Sequence, residues 1–109
     1  EKDYTVIVRD LFVAARCGGI PPDQLQSVPA ERFQVKGLEG DGCSAERLLQ
    51  GVDKAIEKCA WAVFVFHGIG GGHRLSCALE DFEQLLQRLS KDDRLEVKTF
   101  LSAAKIIWH

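Results

Sequence analysis

A histidine ends the most apolar stretch of this chain and is followed at once by a glycine-rich segment. His67 comes after six apolar residues, 61–66 (WAVFVF), and before the sequence GIGGG. A segment with no polar position predicts a parallel strand that is buried on both faces. Functional groups of α/β folds gather at the C-terminal ends of such strands, and an imidazole there can act as general acid, general base or metal ligand. The alternative that spacing leaves open is a histidine bound to a backbone carbonyl.

The glycines after His67 match neither of two common phosphate-binding motifs. The dinucleotide-binding fingerprint G-x-G-x-x-G needs glycine where this chain has His73, and no Gly-Lys-Ser/Thr sequence completes a P-loop. We therefore predict that residues 70–72 form a loop that passes close to a ligand or to neighbouring backbone. The spacing of His67, His73 and Cys77 follows no known zinc-site pattern, so we predict no metal site in this chain.

Length and composition exclude several classes of protein. The 109 residues, 46% of them hydrophobic, predict a single globular domain over residues 1–109. The 14 basic residues are interleaved with 16 acidic ones for a net charge of -2, which argues against a nucleic-acid partner. The sequence contains no run of 18 apolar residues, so we predict no membrane span. The chain has no Met, not even at position 1, so we expect it to be processed, excised or trimmed from something longer.

The four cysteines give no sign of a metal site. Cys17, Cys43, Cys59 and Cys77 include no closely spaced pair of the kind found in zinc ribbons. Three disulfide pairings are formally open to them. A chain with this much aliphatic core does not need cross-links, so we predict buried or half-buried free thiols.

The hydrophobic pattern predicts alternating strands and helices. Three amphipathic helices are expected from apolar residues at three- and four-residue spacing, the first after an N-cap at Ser44, the second around residues 82–89 and the third after an N-cap at Thr99. Short apolar or alternating segments predict strands at residues 11–15, 33–36, 61–66 and 95–98. Residues 17–29 contain two glycines and three prolines and predict an irregular loop, while residues 4–10 are compatible with helix or strand and we favour helix. This order predicts an α/β fold with mostly parallel strands and flanking helices.

Several of these segments together resemble the C-terminal part of the polysaccharide deacetylases of the NodB-homology type. The resemblance covers about residues 11–107 and is carried by the apolar strand, the HGIG sequence and the EDFE sequence of the second helix. Supporting segments are Phe12-Val-Ala-Ala-Arg16, Leu75-Ser76 and Val97-Lys-Thr99.

The resemblance implies a fold and a chemistry. That family folds as a distorted (β/α) barrel, so this chain would be a partial barrel, and it removes acetyl groups from sugars by metal-assisted hydrolysis. By resemblance His67 protonates the leaving group, and Arg16, Gly68, Ile69 and Gly70 contact the acetylated polysaccharide or oligosaccharide. The complete family domain binds zinc or another divalent metal through an Asp-Asp pair and a His-x-x-x-His pair. This chain lacks the His pair, and its one Asp-Asp, Asp92-Asp93, lies in a charged turn.

Three functions therefore remain open from the sequence. The first is the C-terminal half of a metal-dependent deacetylase, without metal of its own and inactive alone. The second is a non-catalytic sugar-binding or interaction module derived from that fold. The third is an enzyme with its own chemistry at His67, for which the sequence offers no nucleophile and no paired carboxylate at a helpful spacing. Half a barrel leaves strand edges unpaired, so we expect either a homodimer or association with the missing N-terminal half.

Overall fold

The computed structural model describes residues 9–25, 31–72 and 74–108. It contains three strands, β1 (Arg16–Ile20), β2 (Val35–Glu39) and β3 (Phe64–Val65), and a short 3-10 helix at Pro22–Gln24. The three α-helices are α1 (Ala45–Lys58), which follows β2, α2 (Leu79–Lys91), which follows β3, and α3 (Phe100–Trp108), which follows α2. The strands form one sheet in the order β1-β2-β3, with both pairs parallel. The predicted mixed α/β fold with parallel strands is therefore confirmed, while a barrel is not seen in the described residues.

The first helix forms where its local signals place it. The Ser44 hydroxyl accepts a hydrogen bond from the backbone N–H of Arg47 at 3.3 Å, as an N-cap does. The buried side chains of Leu48, Val52 and Ala55 recur at helical spacing along the face that packs on the sheet. The helix ends at Cys59, whose φ of 50° is left-handed.

The core lies between the sheet and helices α1 and α2. Its largest cluster joins two residues of α1 to Leu85 of α2 and to Cys77 in the segment before α2. Phe64, Phe66 and Phe82 pack against this cluster, with the Phe66 and Phe82 rings edge to face at a centroid separation of 5.1 Å. These aromatic contacts fix β3 against both helices.

The last helix also begins as predicted. The Thr99 hydroxyl accepts a hydrogen bond from the backbone N–H of Ser102 at 3.2 Å. The Trp61 ring contacts Phe100 at a centroid distance of 5.0 Å and Trp108 at 6.1 Å. These ring contacts hold α3 beside the start of β3.

Two strand predictions are wrong and one is shortened. Residues 11–15 are not a strand, and β1 instead begins at Arg16 and extends into the segment 17–29 that we expected to be a loop. Residues 95–98 form no strand. Residues 61–66 contain only the two-residue strand β3, although the backbone N–H groups of Leu38 and Gly40 reach the carbonyls of Val63 and Val65 at 2.6 and 2.9 Å. The helix favoured at residues 4–10 falls mostly outside the described residues.

A charged cluster closes the turn after α2 and gives the first prediction. The hydrogen bond from the Arg94 guanidinium, helped by another from Arg88, holds the pKa of the Asp92 carboxyl well below its usual range. A carboxyl with a lowered pKa in the folded state stabilises the protein above its unfolded-state pKa, and this contribution is lost as the pH falls. Asp92→Asn should therefore lower the melting temperature at pH 7 and flatten its decrease below about pH 4.

Thermal unfolding followed by circular dichroism between neutral and acidic pH measures this effect. Asp93→Asn is the matched control, because it removes one negative charge from the same turn without removing an ion pair among the described residues. Equal pH profiles for the two variants would contradict the role given to Asp92.

Candidate functional site

His67 lies two residues beyond β3, and its partner is a carboxylate. The backbone N–H of His67 donates to Asp41 Oδ1 at 2.9 Å, and the His67 ring Nδ1 lies 2.5 Å from Asp41 Oδ2. The alternative of a histidine bound to a backbone carbonyl is therefore not what the structure contains. A carboxylate only accepts hydrogen bonds, so Nδ1 carries the proton in this contact and Nε2 is left for another group. The ring is 61% exposed, which leaves Nε2 accessible.

Asp41 is the residue that sequence reasoning missed. It lies in the segment GLEGDG, which has the composition of a turn, and it is separated from His67 by 26 residues. The turn is placed by Gly42, whose φ is +70° and whose N–H donates to the Ser76 carbonyl at 2.9 Å. The order of the strands could have indicated this contact. Asp41 follows β2 and His67 follows β3, and the C-terminal ends of adjacent parallel strands meet at one edge of a sheet.

A cleft of about 380 Å³ opens beside this pair at the C-terminal edge of the sheet. It brings together two of the predicted site residues, Arg16 and His67. The Arg16 guanidinium donates to the Gly18 carbonyl at 2.9 Å and lies across the sheet. The residues that line the cleft are Arg16, Gly18, Gly19, Glu39, Asp41, Gly42, Val65, His67, Arg74 and Leu75. Five of these ten can carry a charge, so the cleft is suited to a polar ligand.

The predicted contact residues Gly68, Ile69 and Gly70 lie in a neighbouring backbone bridge. The N–H of Gly70 donates to the Cys77 carbonyl at 2.8 Å, and the N–H of Cys77 donates to the Gly68 carbonyl at 2.9 Å. Ile69 pairs with Cys77 as an isolated parallel bridge. This bridge holds the segment after His67 against the start of α2, and these three residues do not line the cleft.

The described residues do not supply the zinc ligands that the resemblance implies. No group of three or more His, Cys, Asp or Glu side chains that could hold a metal ion occurs in ranges 9–25, 31–72 and 74–108. Asp41 and His67 contact each other, and His73 lies outside the described residues.

The four cysteines are free thiols. Cys77 is buried, Cys17 and Cys43 are half-buried, and Cys59 is exposed, so the burial expected of them holds for three of the four. Burial raises the pKa of the Cys43 and Cys77 thiols. A raised pKa keeps a thiol protonated at neutral pH, so neither of these two is an activated nucleophile.

A second cleft of about 520 Å³ runs along β3. It is lined mainly by apolar residues: Ala14, Ala15, Arg16, Val63, Phe64, Val65, Phe66 and Phe100. The two clefts share Arg16 and Val65, so they are adjacent on one face of the sheet.

Comparisons with known proteins do not assign the chain to a family. No family model, no curated protein and no solved structure matches the sequence. Among the described residues, no helix has the length and apolar character needed to cross a membrane.

Proposed function

We propose that this chain is a non-catalytic interaction module whose sheet is completed by a partner polypeptide. The observation that carries the proposal is the position of β3 at the edge of the sheet: among the described residues it pairs with β2 alone. An unpaired strand edge offers backbone N–H and C=O groups to another strand, and such edges serve as docking sites for added strands.

The side chains of this edge strand support the proposal. Phe64 packs near Gly51 of α1, whereas a Val65 methyl lies against Gly37 on the opposite face of the sheet. Since side chains alternate along a strand, Val63 points to the same face as Val65 and lines the apolar cleft of about 520 Å³. Natural proteins protect an edge strand with charged residues or prolines. Residues 61–66 contain neither.

A second copy of this chain is the simplest partner. Two copies related by a two-fold axis would pair their β3 edges antiparallel. The apolar cleft of each copy would then be covered by the same surface of the other copy. The same edge could instead accept the strands of an N-terminal half-barrel, which is the arrangement that the partial barrel implied by the resemblance requires.

Light scattering on the purified chain tests the proposal. We expect a mass of about twice 12.1 kDa for the wild type and of one chain for Val63→Lys, because a buried ammonium at the strand edge opposes pairing. Val97→Lys is the matched control, since Val97 is a well-exposed valine that lies outside β3 and does not line the apolar cleft, so its variant should remain a dimer. A wild-type mass of one chain at millimolar concentration, or equal masses for both variants, would contradict the proposal.

The His67–Asp41 pair supports a second candidate, the C-terminal half of a metal-dependent polysaccharide deacetylase. A carboxylate on Nδ1 orients the ring and leaves Nε2 to donate a proton to a leaving group when the ring is protonated. In that case the purified chain alone would be inactive, and a domain that contains the Asp-Asp and His-x-x-x-His motifs would restore acetate release from acetylated sugar oligomers. Failure of restored activity with His67 intact would count against this candidate and would leave the interaction module unaffected.

A further inference from the structure

Two opposite charges lie over a pair of adjacent glycines in the floor of the polar cleft. Gly19 of β1 and Gly37 of β2 are register partners in the sheet. Glu39 Oε1 lies 2.8 Å from the position that a Cβ would occupy at Gly19. Arg16 Nη1 lies 3.2 Å from the corresponding position at Gly37. The absence of both Cβ atoms therefore lets a carboxylate and a guanidinium lie flat on neighbouring strands, which are about 4.8 Å apart.

Neither of these two charged groups forms a direct ion pair within the described part of the chain. Arg16 donates to the Gly18 carbonyl, which satisfies one of its five N–H groups. Neither Arg16 nor Glu39 takes part in any of the ion pairs formed among the described residues. Charged groups that form no direct ion pair beside a concave surface are candidate ligand contacts.

The walls of the cleft add one more cation, one acceptor and an apolar strip. Arg74 lines the cleft and forms no ion pair with a described residue. His67 Nε2 is an acceptor when the ring is neutral, because Nδ1 is bound to Asp41. Val65 and Leu75 provide apolar contact area. The volume of about 380 Å³ is within the range of about 300–1,000 Å³ that is typical of small-molecule sites.

We propose that this cleft binds a small zwitterion, a free α-amino acid with an apolar side chain. The carboxylate of the ligand would contact Arg16 and Arg74, and its ammonium group would contact Glu39. The ligand side chain would lie along Val65 and Leu75. A simple anion is disfavoured because Glu39 and Asp41 repel it, and a simple cation is disfavoured by the two arginines. This inference is independent of the interaction at β3.

An NMR titration of the ¹⁵N-labelled full chain with L-leucine tests the proposal. We expect saturable shifts of the amide signals of Gly18, Gly19 and Gly42, which line the cleft. Isocaproate, which is leucine without its ammonium group, and isoamylamine, which is leucine without its carboxylate, should each bind at least about tenfold more weakly. The reason is that one charge-assisted hydrogen bond contributes about that factor or more.

Three variants separate a ligand site from a general charge effect. Glu39→Gln and Arg16→Gln should each weaken leucine binding by about tenfold or more, with isocaproate losing affinity in the Arg16 variant but not in the Glu39 variant. Glu57→Gln, which removes an exposed carboxylate of α1, should leave affinity unchanged. All three side chains are exposed, so we expect each variant to fold. The amide spectrum of each variant checks this directly. The absence of saturable shifts with leucine, equal affinity for leucine and isocaproate, or unchanged affinity in Glu39→Gln would overturn the proposal.

Discussion

Gly40→Ala is expected to lower the free energy of unfolding by about 3 kcal/mol, because the new methyl group has no space. A Cβ at Gly40 would lie 2.2 to 2.7 Å from three atoms of the Phe66 ring. That ring contacts Phe82 edge to face and is nearly parallel to the ring of Phe64, so moving it away from Gly40 would disturb both ring contacts. Because Gly40 precedes Asp41 and Phe66 precedes His67, the same substitution should displace the Asp41–His67 contact.

Urea denaturation compares this variant with Gly42→Ala. A Cβ at Gly42 meets nothing within 4 Å, so this control variant carries the cost of the left-handed φ of +70° alone, about 1 kcal/mol. A similar loss of stability in the two variants would show that the ring of Phe66 yields and that close packing at Gly40 is not required.

Leu48→Ala is expected to lower the free energy of unfolding by about 3 kcal/mol, because it removes buried apolar contacts and leaves a cavity. Leu48 is fully buried at the centre of the cluster that joins α1, α2 and Cys77. Val52 and Leu85 of the same cluster are themselves almost fully buried, so they have little room to move into the cavity left by the missing atoms. A domain of this size has a total stability of about 5–15 kcal/mol, so the loss would be a large part of it.

Leu101→Ala is the matched control for Leu48→Ala. The Leu101 side chain is 51% exposed on α3, and surface substitutions usually change stability by less than about 0.5 kcal/mol. Urea denaturation of both variants measures the difference. Equal losses would mean that the helix-to-sheet cluster is not the principal core.

Local signals were enough to predict the helices but not the first strand. Ser44 and Thr99 are caps whose hydrogen bonds span three residues, so their effect can be seen in a short stretch of sequence. Strand β1 has the sequence RCGGI, and its two glycines disfavour a strand locally. Its extended conformation comes from parallel pairing with β2, a partner that lies 19 residues away at the Arg16–Val35 pair. Gly19 also leaves space for the Glu39 side chain. The glycine that made β1 difficult to predict therefore helps to shape the cleft.

The candidate site was predicted in the same partial way. His67 could be placed at a strand end from the apolar run before it, and the structure puts it there. Its partner could not be identified, because Asp41 has the sequence context of an ordinary turn and becomes a contact only when β2 and β3 pair. Residues 95–98 gave the opposite error, since alternation alone does not supply a neighbouring strand with which to pair.

The loop between β2 and α1 is joined to the segment between β3 and α2 by hydrogen bonds that span long stretches of chain. Asp41 bonds to His67, Gly42 bonds to Ser76, and the backbone N–H of Ala45 donates to Asp81 Oδ1 at 2.9 Å. The last two partners, Ala45 at the start of α1 and Asp81 in the first turn of α2, are 36 residues apart, so their contact closes a long loop that contains α1 and β3. We expect contacts of this kind to form late in folding, because they join residues that are far apart in the sequence. Contacts that form late act mainly on the unfolding rate, so we expect this junction to lengthen the time for which the native state persists once it has formed.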